Sequence, residues 1–304
     1  MSRSLKNQLT FAINQNFSEG TDKHSIKAKN KDMSENVYSY NEKYRLSDVM
    51  KNFENYLKEN EIKLNEVSQI QTKHIQSFLN NKSTSCTQNT INSYANSFYK
   101  IQKVLNATFK TCNLTWRDTL VIPGAILKSS QTRGADSVIS RADYDKLINY
   151  AKENYSQSGS CIVLQNEFGV RVEEITRIKL DYINLERQEI TFQCKGGKNL
   201  VRAFSLETKQ HLENVIEQKH DKKGERLFSI NGSSLNKYLL RTQDTLGMER
   251  HSNHDIRRLI AQEKYDSYCN AGLNPKEALS ATSIWLNHVS PRDEMITKSY
   301  IHIH

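Results

Sequence analysis

The sequence predicts a mainly α-helical protein with a small antiparallel β-sheet, divided into a smaller helical domain and a larger α-rich domain. Three observations lead to this prediction. Only three prolines and eleven glycines interrupt 304 residues, which favours long helices with few extended loops. Apolar residues recur at helical spacing over most of the chain. One short stretch instead alternates apolar and polar side chains, as strands do.

The composition is that of a soluble globular protein, with 37% apolar and 25% charged residues. No stretch is long and apolar enough to cross a bilayer, and the polar N-terminus lacks the apolar core of a signal peptide. The five cysteines are scattered, odd in number and without metal-ligand spacing. We therefore expect a cytoplasmic protein with free thiols and no membrane partner.

The net charge of +9 and the sequence pI of about 9.1 favour a phosphate-rich partner, of which nucleic acid is the commonest. A merely soluble basic protein has the same charge balance. Charge alone therefore leaves both interpretations open.

Residues 1–42 are predicted to form a flexible, basic N-terminal arm. They are mostly polar, with a short helical pattern from Leu5 to Phe17 and a lysine-rich stretch from Lys23 to Lys31. A solvated leader without a role is the alternative.

Residues 43–125 are predicted to form a small helical domain that ends in a linker. Apolar side chains recur there at i, i+3 and i+4 positions. The positions are Leu46, Val49, Met50, Phe53, Leu57, Ile75, Phe78, Leu79, Ile91, Tyr94, Phe98, Ile101, Val104 and Leu105. The polar faces carry Lys73, Lys100 and Lys103, which are candidates for DNA contacts or, equally, for an ordinary solvated surface.

The second domain is predicted to cover residues 126–304. The segment Asn113–Asp136 shows no clear helical or strand periodicity and is interpreted as the linker between the two domains. Ser140 and Asp143 form a capping-box pattern that opens a helix. A further helix from Ile162 to Phe168 is predicted to end at Gly169, and the next one to begin at Arg171.

A β-hairpin is predicted next. Ile190, Phe192 and Cys194 alternate with polar residues, and the return strand runs from Leu200 to Leu206. The turn between them is Lys195-Gly196-Gly197-Lys198, since glycines accept the backbone angles of tight turns. From Thr208 onward the pattern is mostly helical again.

His254 and Arg257 lie three residues apart at the start of a predicted helix, after Ser252 and Asn253 as candidate caps. This spacing puts both side chains on one face, beside the partial positive charge of the helix N-terminus. An imidazole and a guanidinium in that position suit a phosphate.

Arg171 stands in an otherwise apolar stretch and needs a partner, which Glu174 can supply one turn later. A purely structural ion pair explains these two residues equally well when they are taken alone. Lys195, His288 and Tyr300 are likewise ordinary residues when each is taken alone. Their order and spacing are more informative.

The C-terminal two-thirds of the chain resembles the tyrosine recombinase family, which comprises the phage-integrase type of site-specific recombinases. The family's first box, an arginine followed three residues later by a glutamate, matches Arg171 and Glu174. Its hairpin lysine matches Lys195, and its His-x-x-Arg box matches His254 and Arg257. With the two elements near the C-terminus, these motifs supply six residues in the family's order, which makes a specific signal, although each residue alone is a weak one.

The last two elements lie near the C-terminus. The family's Leu-Gly-His box matches Leu286-Asn287-His288, with asparagine in place of the usual glycine, and its nucleophile matches Tyr300. His288 and Tyr300 are farther apart than is common in the family. Tyr265 and Tyr268 are poor substitutes for the nucleophile, because they lie on the helix that carries Arg257.

The resemblance implies a helical core-binding (SAM-like) domain over residues 43–125 and an α-rich catalytic domain over residues 126–304, which together form a clamp around DNA. Only four residues follow Tyr300, whereas many relatives have a further helix that docks on a neighbouring subunit. A contact between subunits is therefore expected to be small here or to come from elsewhere, such as the 1–42 arm.

The resemblance also implies a role for each residue. Tyr300 attacks a DNA phosphorus and forms a 3′-phosphotyrosyl link, without a metal, ATP or other cofactor. Arg171 and Arg257 neutralise the transition state, and Glu174 holds Arg171. The remaining expected roles are general acid for Lys195, base for His254 and hydrogen-bond donor to the phosphate for His288.

The implied partners are double-stranded DNA recombination sites, bound by a homotetramer on two duplexes, with an accessory DNA-bending protein as a candidate. Lys198 and Arg202 flank the hairpin and are candidates for backbone contacts, or for a simply solvated hairpin. The alternatives are a catalytically degenerate DNA-binding regulator, and a type IB-like topoisomerase or telomere resolvase. A metal site built from His251, His254, His302 and His304 is the weakest alternative, because their spacing does not serve one ion.

Overall fold

The predicted fold class is confirmed by a mainly helical structure with one three-stranded antiparallel sheet. The computed structural model describes residues 4–19, 34–127, 134–194, 198–219, 225–288 and 293–303. The chain divides into two compact units, residues 1–130 and 131–304. Within the described residues, no helix combines the length and the apolarity that a bilayer crossing requires.

The regular elements in the described part of the first unit are helices. Its helices are α1 (Leu5–Gln15), α2 (Tyr40–Glu59), α3 (Thr72–Ser83), α4 (Gln88–Thr108) and α5 (Trp116–Thr119), with a 3-10 turn at Val67–Gln69. Fully buried aromatic rings from three helices meet edge to face, with centroids 5.3 Å apart for Phe53 and Phe98 and 5.6 Å apart for Phe53 and Phe78. This contact brings α2, α3 and α4 into one core.

The expectation of a flexible arm does not hold for the described parts of residues 1–42. Ser4 caps α1, and Leu5, Leu9 and Ile13 are buried in the core of the first unit. The segment after residue 33 returns to this core, where Val37 is fully buried. Apolar residues at i, i+4 spacing bury one face of α1 although its mean composition is polar. The lysine-rich stretch lies outside the described residues.

Lys100 was a candidate for a DNA contact or for a solvated surface, and neither expectation holds because the residue is buried. Its side chain is 4% exposed, and its ammonium donates hydrogen bonds to the carbonyls of Ser34 and Asn36, both at 2.6 Å. The carboxylate of Glu42 lies 4.0 Å away. Lys100 therefore holds the chain before α2 against α4, because its aliphatic part crosses the apolar surface and its ammonium group reaches main-chain carbonyls. Lys103 is half-buried and Lys73 is exposed.

The second unit packs helices around the small sheet. Its helices are α6 (Arg141–Glu153), α7 (Gln157–Phe168), α8 (Val172–Ile175), α9 (Leu206–Glu217), α10 (Gly232–Thr245), α11 (Asn253–Asn270), α12 (Pro275–Trp285) and α13 (Asp293–Ser299), with 3-10 turns at Gly134–Asp136 and Leu180–Tyr182. The strands are β1 (Ile183–Asn184), β2 (Glu189–Cys194) and β3 (Lys198–Ala203), in the order β1-β2-β3.

The hairpin register pairs Ile190 with Arg202 and Cys194 with Lys198. The return strand was predicted to run to Leu206, but it ends at Ala203, and Leu206 begins α9. The reason is Ser205, whose hydroxyl accepts the amide of Thr208 and caps that helix. The predicted turn residues 195–197 lie outside the described residues.

Gly169 fixes the approach of α7 to the C-terminal helices. It ends α7 in the left-handed conformation, with φ +55°. A Cβ at this position would lie 2.6 Å from the Trp285 ring and 3.0 Å from Ile260. Because Gly169 has no side chain, its carbonyl can come close to the side chains of α11.

We expect Gly169→Ala to destabilise the protein by roughly 2–5 kcal/mol, because the left-handed backbone and the contact with Trp285 both penalise a methyl group. Gly247→Ala is the matched control, since Gly247 has φ +63° and nothing lies within 4 Å of its added Cβ. The control is expected to cost only about 1 kcal/mol. Urea unfolding measures both, and equal losses would contradict the steric argument.

Candidate active site

A buried carboxylate joins two of the predicted arginines. Arg171 is the N-cap of α8, and its amide and its guanidinium donate to the two oxygens of Glu174, at 2.7 Å and 2.9 Å. The carboxylate of Glu174 is 4% exposed and lies 3.9 Å from the guanidinium of Arg257. Glu174 thus offsets part of the repulsion between two neighbouring cations, while a third of the Arg171 side chain stays exposed.

Arg257 is held by main-chain carbonyls. Its side chain is 3% exposed, and its terminal nitrogens donate to the carbonyl of Gly169 at 2.6 Å and to that of Leu286 at 2.9 Å. Burial lowers the pKa of Arg257, and the positive charge of Arg171 adds to the lowering. A guanidinium has five N–H donors, so the two bonds to carbonyls orient Arg257 and leave further donors for an anion.

Tyr300 lies directly after α13 with 6% of its surface exposed. Its ring centroid is 5.8 Å from the guanidinium carbon of Arg257, 5.1 Å from the ring of His254 and 6.2 Å from the ring of His288. The structure therefore brings the predicted nucleophile to the predicted arginine and to both predicted histidines.

His254 is placed by a capped helix start. The hydroxyl of Ser252 accepts the amide of Asp255, and the carboxylate of Asp255 accepts the amide of Ser252 at 2.6 Å. The preceding residue is also held, because the side-chain amide of Gln243 binds both the N–H and the carbonyl of His251, each at 3.1 Å. The imidazole of His254 is thus carried on a fixed first turn.

The environment of His254 keeps the ring neutral. Desolvation, followed by the charges of Arg258 and Arg257, lowers the pKa of His254 to about 4, although the residue as a whole is exposed. A neutral imidazole can accept a proton near pH 7, whereas a protonated one cannot.

This lowered pKa has a consequence for stability. Between roughly pH 6.5 and pH 4 the unfolded chain binds a proton at this histidine that the folded chain does not, so stability falls as the pH falls through that window. We expect the melting temperature of wild type to drop more than that of His254→Gln between about pH 7 and about pH 5. Equal drops would mean that His254 titrates normally in the folded protein.

His288 follows a helix end of unusual geometry. Asn287 adopts a left-handed conformation with φ +61°, and the amide of His288 donates to the carbonyl of Ser283 at 3.0 Å. Asparagine tolerates this conformation better than other non-glycine residues, which explains how it stands where the family pattern has glycine. The thiol of Cys194 lies beside Glu174 and Asn287, and burial raises its pKa to about 11.

The hairpin residues contribute differently from what was expected. Lys195 lies outside the described residues, and Lys198 is exposed. Arg202 was a candidate for a DNA backbone contact or for a solvated hairpin, but it donates to the carbonyl of Trp285 and stacks on that ring, with 4.8 Å from guanidinium carbon to ring centroid. Burial lowers the pKa of Arg202. The stacking explains the difference, because the guanidinium finds an aromatic face within its own unit.

Three residues at the site were missed by the sequence analysis. Asp255 is 5% exposed and accepts from Arg258 and, at 2.9 Å, from the hydroxyl of Ser137. Arg258 and Gln262 contact the chain around Tyr300. The Ser252-x-x-Asp255 spacing is a capping signal that could have identified Asp255, but no sequence signal separates Arg258 and Gln262 from surface residues.

Within the described ranges, the structure contains no group of three histidine, cysteine, aspartate or glutamate side chains that could hold a metal ion. Of the four histidines considered for a metal site, His304 lies outside those ranges. His254 instead packs against Tyr300, and His302 lies 3.4 Å from a carboxylate oxygen of Asp136.

Comparison with protein-family models gives two matches. The model of the phage integrase family matches residues 137–281, and the model of the phage integrase SAM-like domain matches residues 17–113. No curated protein sequence matches the chain.

Solved structures of similar fold include three recombinases. The XerH site-specific recombinase bound to palindromic difH substrate has a TM-score of 0.66 at 15% identity, with 100% of this chain and 94% of that chain covered. A lambda integrase tetramer bound to a Holliday junction has a TM-score of 0.61 at 14% identity, covering 96% and 79%. The Tn1549 transposon integrase in complex with transposon right-end DNA has a TM-score of 0.58 at 13% identity, with 97% of this chain and 95% of that chain covered. At these identities the similarity shows a shared fold.

Proposed function

The chain belongs to the phage integrase family, and we propose that it is a site-specific DNA recombinase that cleaves and rejoins DNA through Tyr300. The observation that carries the proposal is the convergence of the phenol with Arg257, His254 and His288 inside one compact unit. Nucleophile, cation and proton acceptor are the groups that phosphoryl transfer to a side chain needs.

The first step is attack of the Tyr300 oxygen on a DNA phosphorus. A bond forms between the phenolic oxygen and phosphorus, the bond from phosphorus to the 5′-oxygen breaks, and a 3′-phosphotyrosyl link results. His254 takes the phenolic proton, which its lowered pKa permits at neutral pH. Lys195 gives a proton to the leaving 5′-oxygen.

The cations stabilise the charge that gathers on the phosphate oxygens. Arg171 and Arg257 supply N–H donors from two helix starts that Glu174 connects, and His288 adds a further donor. Because the bonds of Arg257 to the carbonyls of Gly169 and Leu286 fix its plane in advance, little reorganisation is needed when the phosphate arrives.

Rejoining reverses the chemistry with another strand. A 5′-hydroxyl gives its proton to Lys195 and attacks the phosphotyrosyl phosphorus, the bond from phosphorus to the phenolic oxygen breaks, and His254 returns the proton to Tyr300 as a new phosphodiester forms. Since the covalent link conserves the phosphodiester energy, the exchange requires neither ATP nor hydrolysis. The positive charge that the transition state needs comes from side chains, so the proposed reaction proceeds without a metal.

The proposed substrates are double-stranded recombination sites. Strand exchange needs cleavage of both strands of two sites, which implies four protomers on two duplexes, as in the lambda integrase tetramer on a Holliday junction. An accessory DNA-bending protein and a location at a prokaryotic nucleoid are further parts of the proposal. The net charge of +9 is consistent with a DNA substrate.

The test uses nicked duplexes drawn from the DNA that flanks the gene, because integrases commonly lie beside their own attachment site. In the presence of a chelator, we expect a protein–DNA adduct that survives denaturation and a released strand with a free 5′-hydroxyl. Specific binding without any adduct would favour a DNA-binding regulator. Relaxation of supercoiled DNA without a specific site would favour a topoisomerase.

A further inference from the structure

We propose that Arg258 and Gln262 are positioning residues for the nucleophile, holding the backbone on both sides of Tyr300. The two side chains lie one turn apart on α11, the helix that also carries His254 and Arg257. The inference rests on the proposed function, since it assigns a role only if Tyr300 is the nucleophile.

Arg258 holds the residue before the nucleophile. Its Nε donates to the carbonyl of Ser299 at 2.8 Å, and its Nη1 donates to the carbonyl of Ser137 at 2.9 Å and to the carboxylate of Asp255. Only 12% of the Arg258 side chain is exposed. The guanidinium is therefore fixed by two other groups while it holds the end of α13, and its orientation is set in advance.

Gln262 holds the residue two positions after the nucleophile. Its carboxamide oxygen accepts the amide of His302 at 2.8 Å, and its nitrogen donates to the carbonyl of His302 at 3.2 Å. One side chain thus pairs with both main-chain groups of one residue, as a neighbouring β-strand would. A third hydrogen bond, from the same nitrogen to a carboxylate oxygen of Asp266 at 2.9 Å, orients the carboxamide.

Tyr300 needs such support because its own element is short. Helix α13 has seven residues, and Tyr300 follows its last residue. Isolated helices of this length are unstable in water, so their geometry comes from tertiary contacts. The amides of Tyr300 and Ile301 donate back to Ile296, at 2.8 Å and 3.2 Å, and the chain beyond them is held by Gln262.

Both contacts fix the backbone around Tyr300 to α11, the helix that also carries His254 and Arg257. His254, Arg257, Arg258 and Gln262 occupy successive turns of α11, so a single helix sets the distances from the phenol to its proton acceptor and to its cation. Loss of either contact should let Tyr300 drift without removing any catalytic group. A displacement of about 1 Å can slow an enzymatic step by on the order of 100-fold.

The experiment measures single-turnover adduct formation on a nicked site at saturating DNA. Gln262→Met keeps the length of the side chain and removes its three hydrogen bonds. Arg258→Met shortens the side chain and removes the three hydrogen bonds of the guanidinium together with its charge. For both we expect the first-order rate constant to fall about 10- to 100-fold. The DNA concentration at half-saturation and the final amplitude should stay at wild-type values. Arg258→Lys should recover part of the rate, because an ammonium can still donate to one carbonyl.

The matched control is Asn106→Leu in the first unit. Asn106 makes the same kind of paired contact with the backbone of Leu114, at 2.9 Å and 3.0 Å, so its loss should reduce stability without changing the rate constant. A merely structural role for Gln262 would lower the amplitude, which reports the folded fraction, and leave the rate constant unchanged; that result would overturn the inference. Absence of any adduct with wild-type protein would instead refute the proposed function.

Discussion

Replacing Tyr300 by phenylalanine is expected to abolish covalent adduct formation. Phenylalanine keeps the ring that packs against His254 and Arg257 but has no oxygen to attack phosphorus. The free energy of unfolding should change by only about 1 kcal/mol, since a single hydroxyl is removed. Denaturing gels of protein incubated with a nicked site measure the adduct directly.

Tyr265→Phe is the matched control for this substitution. Tyr265 is also buried, at 4% exposure, and lies in the same apolar cluster as Tyr300, but on α11. The control variant should form the adduct at close to the wild-type rate. Binding of the site by Tyr300→Phe should remain at the wild-type level. An adduct that persists in Tyr300→Phe would place the nucleophile elsewhere.

Arg257→Lys is expected to slow adduct formation by about 100- to 1000-fold, the usual effect of removing one electrostatic donor to a transition state. An ammonium cannot donate to the carbonyls of Gly169 and Leu286 and to a phosphate in one plane. Because one or both carbonyls then lose their buried partner, the free energy of unfolding should also fall, by about 1–3 kcal/mol.

Arg250→Lys provides the control for the same chemical change. Arg250 donates from two nitrogens to both oxygens of Asp244, each at 3.0 Å, and about two-thirds of its side chain is exposed. An exposed pair contributes little to stability, so this variant should resemble wild type in both rate and stability. Near-normal cleavage by fully folded Arg257→Lys protein would contradict the proposed role of Arg257 in stabilising the charge on the phosphate oxygens.

The parts of the fold that depend on local patterns were predictable from the sequence. The alternation of Ile190, Phe192 and Cys194 identified the hairpin, and the spacing of apolar residues identified the helices of the first unit. The order of the motifs identified the residues that meet at Tyr300. In each case the prediction depends only on the spacing of residues along the chain, which can be read directly from the sequence.

The parts that depend on tertiary partners were not predictable. Lys100 and Arg202 were candidates for DNA contacts or for a solvated surface, but each finds a carbonyl in its own unit, and nothing in the sequence indicates which carbonyl will be near. Arg258 and Gln262 were missed for the same reason, since both bind main-chain groups. A short helix from Leu5 was predicted, but its burial in the core of the first unit was not, because its few apolar residues are diluted by polar neighbours.

The most direct test of the central claim is to identify the amino acid that is joined to DNA. The covalent complex formed on a nicked site is digested with trypsin and nuclease, and the peptide that carries the remaining nucleotide is sequenced by mass spectrometry. We predict a phosphotyrosyl bond at Tyr300, in the peptide that begins at Ser299 after cleavage at Lys298. A nucleotide attached to Tyr265, Tyr268 or a residue of the first unit would contradict the account.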